Sequence, residues 1–380
     1  MANKRGQNEG TISQRQDGRW EARVTIGYEG GKLRRKSLYG KTRKEVQEKM
    51  TVILRQVQQG LPVANDRMTV AGLLEDWLQT VVAPSKRPKT FHSYSQIVRL
   101  HLIPDLGRIV LSKLTAQDVQ RLINQKSKSD LSPRTVQYIR DVLRNALNQA
   151  IKWDLVPRNV AELSEVPQVK RHVFIPLDPE EASLLLSTVK GHPLEALFCV
   201  ALAVGLRIGE ATGLRWNDID LNGGLMSVNN QLQKVGTDWR LVPPKTSRGV
   251  RRIDLPTFAV TALRSHRERQ QTEDKVIAGP EWQEMGFVFT TSRGTPLDPA
   301  NIRRTFSLLL KKAGLAQMRF HDLRHTCASL LLAQGVQPRV VMEILGHSQI
   351  SLTMDTYSHV IPSLRKDAAT LMDSLLASSK

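Results

Sequence analysis

Trp20, Ala22, Val24 and Ile26 alternate with Glu21, Arg23 and Thr25, the two-residue period of a strand with one covered face. Glu29-Gly30-Gly31 supplies a tight turn, and a second strand is expected through Lys32–Tyr39. Thr42 with Glu45 three residues later is a helix-start signal, after which Val46, Met50, Ile53 and Val57 fall on one helical face. Gly60-Leu61-Pro62 to about Asp66 reads as a linker. The period then changes to helical. Thr69 precedes Val70–Leu78, Thr115 pairs with Asp118, and Ser132 stands before Pro133 at a first helical position. His92–Leu102 and Pro133–Trp153 are amphipathic, the latter with Val136, Ile139, Val142, Leu143, Ala146, Leu147 and Ala150 on its apolar side.

A second connector, Pro167 to about His172, leads to Asp178-Pro179-Glu180-Glu181, a further helix start. Helices are expected over roughly 179–190, 194–204, 208–214, 257–272, 299–313, 321–334, 338–345 and 363–376, with strand-like pieces at Leu225–Val228, Trp239–Val242 and Arg251–Leu255. Leu194 to Gly205 is the most apolar run; it is too short to span a membrane and reads as one buried helix. The tail helix carries Leu364, Ala368, Leu371, Met372, Leu375 and Leu376 at helical spacing, a face fit to pack within its own subunit. The whole is a multidomain α+β chain without internal repeats.

Charge narrows the partner. The chain carries 55 Lys and Arg against 36 Asp and Glu, a net charge of +19, which points to a polyanion and to nucleic acid before a membrane surface. Residues 1–60 and 67–173 each hold a net +8, whereas 174–380 hold only +4. Attraction to a polyanion is therefore expected of the N-terminal half, and chemistry from particular residues of the C-terminal half. The candidate DNA-contacting side chains are Arg19, Arg23, Arg34, Arg35 and Lys36 on the ribbon. They continue with Lys86, Arg87, Lys89, Arg134, Arg140 and Arg144 on the helices, and Lys170 and Arg171 on the connector. A basic strand pair is also simply a solvated surface, and the sequence alone leaves both readings open. Cys199 and Cys327 lie inside apolar helical patterns and are expected as buried thiols of a reducing cytoplasm. The N-terminus has no apolar block of a secretory signal.

Four patches in the C-terminal half carry chemistry: Gly205-Leu206-Arg207-Ile208-Gly209-Glu210, Pro244-Lys245-Thr246, His321-Asp322-Leu323-Arg324-His325-Thr326, and Leu345-Gly346-His347-Ser348 with Tyr357 ten residues beyond His347. Phosphodiester exchange spreads negative charge over the non-bridging oxygens, which guanidinium forks match with paired bonds. Arg207 and Arg324 are the candidate clamp. Tyr357 is the candidate nucleophile; a phenol with a pKa of about 10 needs its proton taken, and His321, three residues from Arg324 on an expected helix, is placed to take it. Lys245 is a candidate acid for the leaving oxygen, and His347 a further donor. Singly, each residue has a plain structural role: a surface arginine, a loop lysine, a packed tyrosine, a helix-ending Gly346. His321 and His325 stand four apart like a zinc pair, but the zincin glutamate is missing and no third ligand is evident, so neither metal nor other cofactor is expected.

Arg207, Lys245, His321 with Arg324, His347 and Tyr357 resemble the catalytic set of the tyrosine recombinase (phage integrase) family, in that family's order, with Glu210 as a supporting match. The resemblance extends along the chain. It implies an arm-type DNA-binding domain over 1–62 with a three-stranded sheet and a helix, a helical core-binding domain over 67–170, a mainly-α catalytic domain with a small antiparallel sheet over 174–362, and a helical tail over 363–380. It further implies that Tyr357 forms a 3′-phosphotyrosyl link, that strands exchange through a Holliday junction, and that neither ATP nor metal is consumed. The implied partners are double-stranded DNA at core and arm attachment sites, three further copies in a tetramer, and possible directionality (excisionase) and DNA-bending host factors, in the cytoplasm of a bacterial host. Other readings remain open: a DNA-binding regulator that does not cut, a type IB topoisomerase-like enzyme, and a chromosome-dimer resolvase.

Overall fold

The computed structural model describes residues 10–29, 32–58, 68–169, 175–244, 246–346, 372–374 and 376. The chain divides into two compact units, residues 1–171 and 172–380.

The first unit begins with an antiparallel sheet of three strands, β1 (Thr11–Gln14), β2 (Trp20–Glu29) and β3 (Lys32–Gly40), in the order β1-β2-β3, followed by α1 (Arg43–Gln58). The expected alternation places Ala22 and Val24 inward, where they are fully buried together with Val46 of α1. Glu21, expected on the wet face, is only 5% exposed. Arg23 covers it at 3.0 Å and the Tyr39 hydroxyl donates to it at 3.3 Å, so the sheet's polar face carries its own ionic network. β1 has a single apolar residue, Ile12, which is why periodicity does not reveal it.

Of the helices that follow, α2 (Val70–Trp77) starts after the cap Thr69, α3 (Pro88–Ile97) starts at a proline without a side-chain cap, α4 (Ala116–Ser127) starts inside a reciprocal Thr115/Asp118 capping box, and α5 (Pro133–Lys152) starts after Ser132. α5 buries the same seven residues that its sequence pattern selects, from Val136 to Ala150. They pack with Leu73, Leu74, Val98, Leu102 and Val119 into one core.

The second unit contains α6 (Pro179–Val189), α7 (Glu195–Val204) and α8 (Ile208–Thr212), then β4 (Ile219–Asp220), β5 (Leu225–Val228), β6 (Gln231–Val235), β7 (Asp238–Val242) and β8 (Arg251–Asp254). The helices α9 (Thr257–Arg269), α10 (Pro299–Lys312), α11 (Asp322–Ala333) and α12 (Pro338–Leu345) follow. The strands form a sheet of order β4-β5-β8 and a separate hairpin β6-β7. β6 escapes the pattern reading because its sequence, Gln-Leu-Gln-Lys-Val, is largely polar. α7 is buried at every position from Ala196 to Leu202, as a helix apolar all round must be. Its Phe198 ring meets those of Phe306 and Phe320 at 5.5 and 6.3 Å, fixing α7 against α10 and the segment that leads into α11. Cys199 and Cys327 are both buried and unbridged. Among the described residues no helix is long and apolar enough to cross a membrane. The Gly60–Asp66 linker, the connector residues 170–174, and nearly all of the tail helix lie outside the described residues.

Candidate active site

The helices α7 and α12 each stop at a left-handed glycine. α7 ends at Gly205 with φ +63° and α12 at Gly346 with φ +65°, the left-handed conformation that glycine adopts at least cost. A Cβ on Gly205 would lie 2.5 Å from Leu345 Cδ2 and 3.1 Å from Arg324 Cγ, so the residue serves close packing as well as the turn. The last carbonyls of any helix lack partners within it. At the end of α12 those carbonyls are answered by arginines from three different elements.

Arg324, in the first turn of α11, is 1% exposed and among the largest fully buried side chains. Its Nη1 donates to the Gly205 carbonyl at 2.8 Å and its Nη2 to the Leu345 carbonyl. Arg207 stands immediately before α8, its Nη2 3.4 Å from the Gly346 carbonyl. Arg251, from β8, donates through Nε to the Ile344 carbonyl at 2.7 Å. Three consecutive carbonyls, 344 to 346, thus each receive a guanidinium N–H, and the negative end of the α12 dipole lies among the positive charges. Glu210, 3% exposed, joins two of the three: Arg207 Nη1 reaches Oε1 at 2.6 Å and Arg251 Nη2 reaches Oε2 at 2.9 Å. Burial pushes the Glu210 carboxyl up, but the guanidiniums of Arg251 and Arg207 outweigh it and hold the group ionised below its ordinary range.

Arg207, Ile208, Arg303, Met318, Arg319, Phe320 and His321 line a cavity of about 450 Å³. Its charged walls are all cationic, although Arg319 is partly spent in a bidentate pair with the buried Asp322, with contacts of 2.8 to 3.2 Å. His321 is not within α11 as its spacing from Arg324 suggests. It is the residue just before the first turn, exposed along the cleft, while Arg324 turns into the interior. Crowding by surrounding atoms, with further contributions from His325, Arg324 and Arg207, pushes the His321 pKa down to about 4. Its open edge admits water that screens those charges, and the ring is neutral at pH 7 and able to accept a proton. Because the folded pKa lies below the unfolded one, the unfolded chain protonates first, so this residue's effect is to lower stability as pH falls through that window. A titration of the His321 ring by NMR should give a midpoint below about 5.5 in the DNA-free protein; a midpoint at the ordinary 6.5 would show that the cleft does not act on it. Among the described residues no group of His, Cys, Asp and Glu is arranged to hold a metal; His321 and His325 meet edge to face instead, with ring centroids 5.2 Å apart.

Of the residues singled out from the sequence, Arg207, Glu210, His321 and Arg324 come together here, whereas Lys245, His347 and Tyr357 lie outside the described residues. Lys245 falls in the connection from β7 to β8, and His347 directly follows Gly346 at the end of α12. Arg251, Arg303 and Arg319 were not singled out: in sequence each is one more basic residue on a polar face, and only packing reveals its position. The expected DNA-contacting residues are dispersed. Arg19 and Arg23 are exposed beside Asp17 and Glu21, and Arg35 is exposed on β3, where Arg34 stands opposite Gly27 and Lys36 is half-buried. Lys86 and Lys89 are exposed and Arg87 half-buried at the start of α3, and Arg134 is exposed on α5 beside Gln137. Arg140 and Arg144 flank Asp141, the former with only 13% of its side chain exposed. Lys170 and Arg171 lie outside the described residues.

The two units each meet a family pattern. Residues 176–363 match the phage integrase family, and residues 69–127 match its N-terminal SAM-like domain. A tyrosine recombinase XerC-like protein of Caldanaerobacter subterraneus subsp. tengcongensis is 32% identical over 93% of this chain and 95% of its own. An integrase of Streptomyces ambofaciens is 32% identical over 99% and 98%. Among solved structures, the Tn1549 transposon integrase with transposon right-end DNA matches 80% of this chain and all of its own, at TM-score 0.66 and 23% identity. The lambda integrase tetramer bound to a Holliday junction matches 93% of this chain and 96% of its own, at TM-score 0.55 and 17% identity. The chain belongs to the phage integrase family: it is a tyrosine recombinase, an enzyme of site-specific DNA recombination.

Proposed function

We propose that this recombinase integrates a mobile element or prophage, with Tyr357 as nucleophile and Arg207, Lys245, His321, Arg324 and His347 as its catalytic partners. The single observation that carries the reading is the convergence of Arg207 and Arg324 on adjacent carbonyls at the end of α12, one residue before His347. In the proposed step the Tyr357 oxygen attacks the phosphorus and its proton passes to His321. The 5′ oxygen leaves with a proton from Lys245, and the arginines hold the charge that builds on the non-bridging oxygens. Attack by a 5′-hydroxyl of the partner duplex reverses the step, so the energy of the bond is conserved in the ester. A phosphate entering the cleft offsets the Arg324 and Arg207 charges, which add to burial and His325 in depressing His321, and so raises its affinity for the proton.

The test is a nicked duplex spanning the junction between element and chromosome. The native chain should accumulate a covalent protein–DNA adduct without ATP. A chain that binds the duplex and never yields an adduct would be a regulator on a recombinase fold.

The exposed basic ribbon supports an integrase in place of a chromosome-dimer resolvase, since it offers a second DNA contact. Residues 1–62, 67–170, 174–362 and 363–380 would then serve as arm-binding, core-binding and catalytic domains and assembly tail of a DNA-bound tetramer in the host cytoplasm. Each neutralised phosphate contributes roughly −0.9 to the slope of log affinity against log salt. Removing residues 1–62 should flatten that slope by about 2 or more for DNA carrying both site types, and leave it unchanged for a core site alone. An unchanged slope on both would deny the ribbon its DNA contact.

A further inference from the structure

Arg251 belongs to none of the sequence patches, yet its side chain, 6% exposed, touches residues in or beside three of them. Nη2 donates to Glu210 Oε2 at 2.9 Å, at the end of the Gly-Leu-Arg-Ile-Gly-Glu patch. Nη1 donates to the Gly249 carbonyl at 3.1 Å, four residues after Lys245. Nε donates to the Ile344 carbonyl at 2.7 Å, three residues before His347. We propose that Arg251 is a positioning residue for strand cleavage, which orients Arg207 through Glu210 and fixes the point where the chain leaves α12 for His347. This inference rests on the recombinase reading above.

Two physical reasons support it. The first is charge. Glu210 alone would cancel Arg207, leaving a phosphate to face a neutral pair. Sharing the carboxylate between two guanidiniums leaves the trio with a net positive charge beside the cleft. The second is geometry. A buried carboxylate must have both oxygens compensated. Among the described residues, Arg207 Nη1 takes Oε1, and Oε2 receives Arg251 and the Arg207 backbone N–H at 3.1 Å. Without Arg251 the Glu210 carboxylate is held by Arg207 alone, so the Arg207–Glu210 pair loses the tie that fixes it to β8 and to the end of α12. A guanidinium meets three acceptors held at fixed angles, whereas a lysine offers one compact charge on a flexible stem.

The experiment uses the full chain and the nicked junction duplex. Adduct formation is timed within complexes already saturated with DNA, and thermal unfolding is followed alongside. Arg251→Gln should slow adduct formation about 100-fold per bound complex, the scale of a misplaced catalytic group, with DNA affinity within about threefold of native. Arg251→Lys should recover no more than about tenfold of that. The double variant Glu210→Gln/Arg251→Gln should be no slower than the slower single variant by more than about threefold, because both act through one contact. Native rates in Arg251→Gln overturn the proposal, as do losses in the two singles that multiply in the double. Where Arg251→Gln fails to fold, Arg251→Lys decides: a native rate overturns the proposal, and slower cleavage with native unfolding temperature supports it. If the native chain itself yields no adduct, the recombinase mechanism has failed first, and that outcome is distinct from a native adduct that Arg251 does not influence.

Discussion

Tyr357→Phe should abolish covalent capture of the nicked duplex, a fall on the order of 10⁴-fold or more, with DNA affinity within about threefold of native. The substitution removes one oxygen and keeps the ring, so packing is preserved and only the nucleophile is lost. Binding is expected to survive because most of the net charge it draws on is carried by other segments: residues 1–60 and 67–173 each hold a net +8, against +4 for the larger remainder. Loss of binding and capture together would mean that Tyr357 supports the fold; undiminished capture would place the nucleophile elsewhere.

Arg324→Ala is expected to fail in two separable ways. In catalysis it removes a preorganised donor from the developing charge, which costs about 3–4 kcal/mol and slows cleavage at least 10²- to 10³-fold. In stability it strips the partners from the Gly205 and Leu345 carbonyls, at about 1–3 kcal/mol for each left unmet. Arg324→Lys restores a charge and at most one of those bonds, so it should regain part of the stability and little of the rate. Chemical denaturation and single-turnover cleavage on the same samples check both. A variant that unfolds at the native denaturant concentration would contradict the anchoring role, and one that cleaves normally would contradict the clamp.

How much of this was legible in the chain depends on what each feature requires. Helices bounded by caps were readable because capping is local chemistry: Thr115 with Asp118 and Asp178 with Glu181 form in space the reciprocal bonds that their spacing suggests. The buried side of α5 followed from period alone. β1 and β6 were not readable, since their residues are mostly polar and their strands exist through pairing with β2 and β7. At the site, Arg207, His321 and Arg324 carried a signal through the order of the motifs. Arg251 carried none: its role comes from contacts with residues 41 positions earlier and 93 later, a relation that no local pattern encodes. The i, i+3 spacing of His321 and Arg324 suggested a shared helical face. Instead the helix begins one residue after the histidine, which stands at the cleft while the arginine serves as an interior tie.

The account depends on a phenol oxygen becoming joined to a DNA end. Digesting the trapped adduct with a protease and locating the nucleotide by tandem mass spectrometry tests that directly. The account predicts a single modified peptide in which Tyr357 carries a 3′-linked nucleotide. A nucleotide attached to a serine, a histidine or any other tyrosine would contradict it.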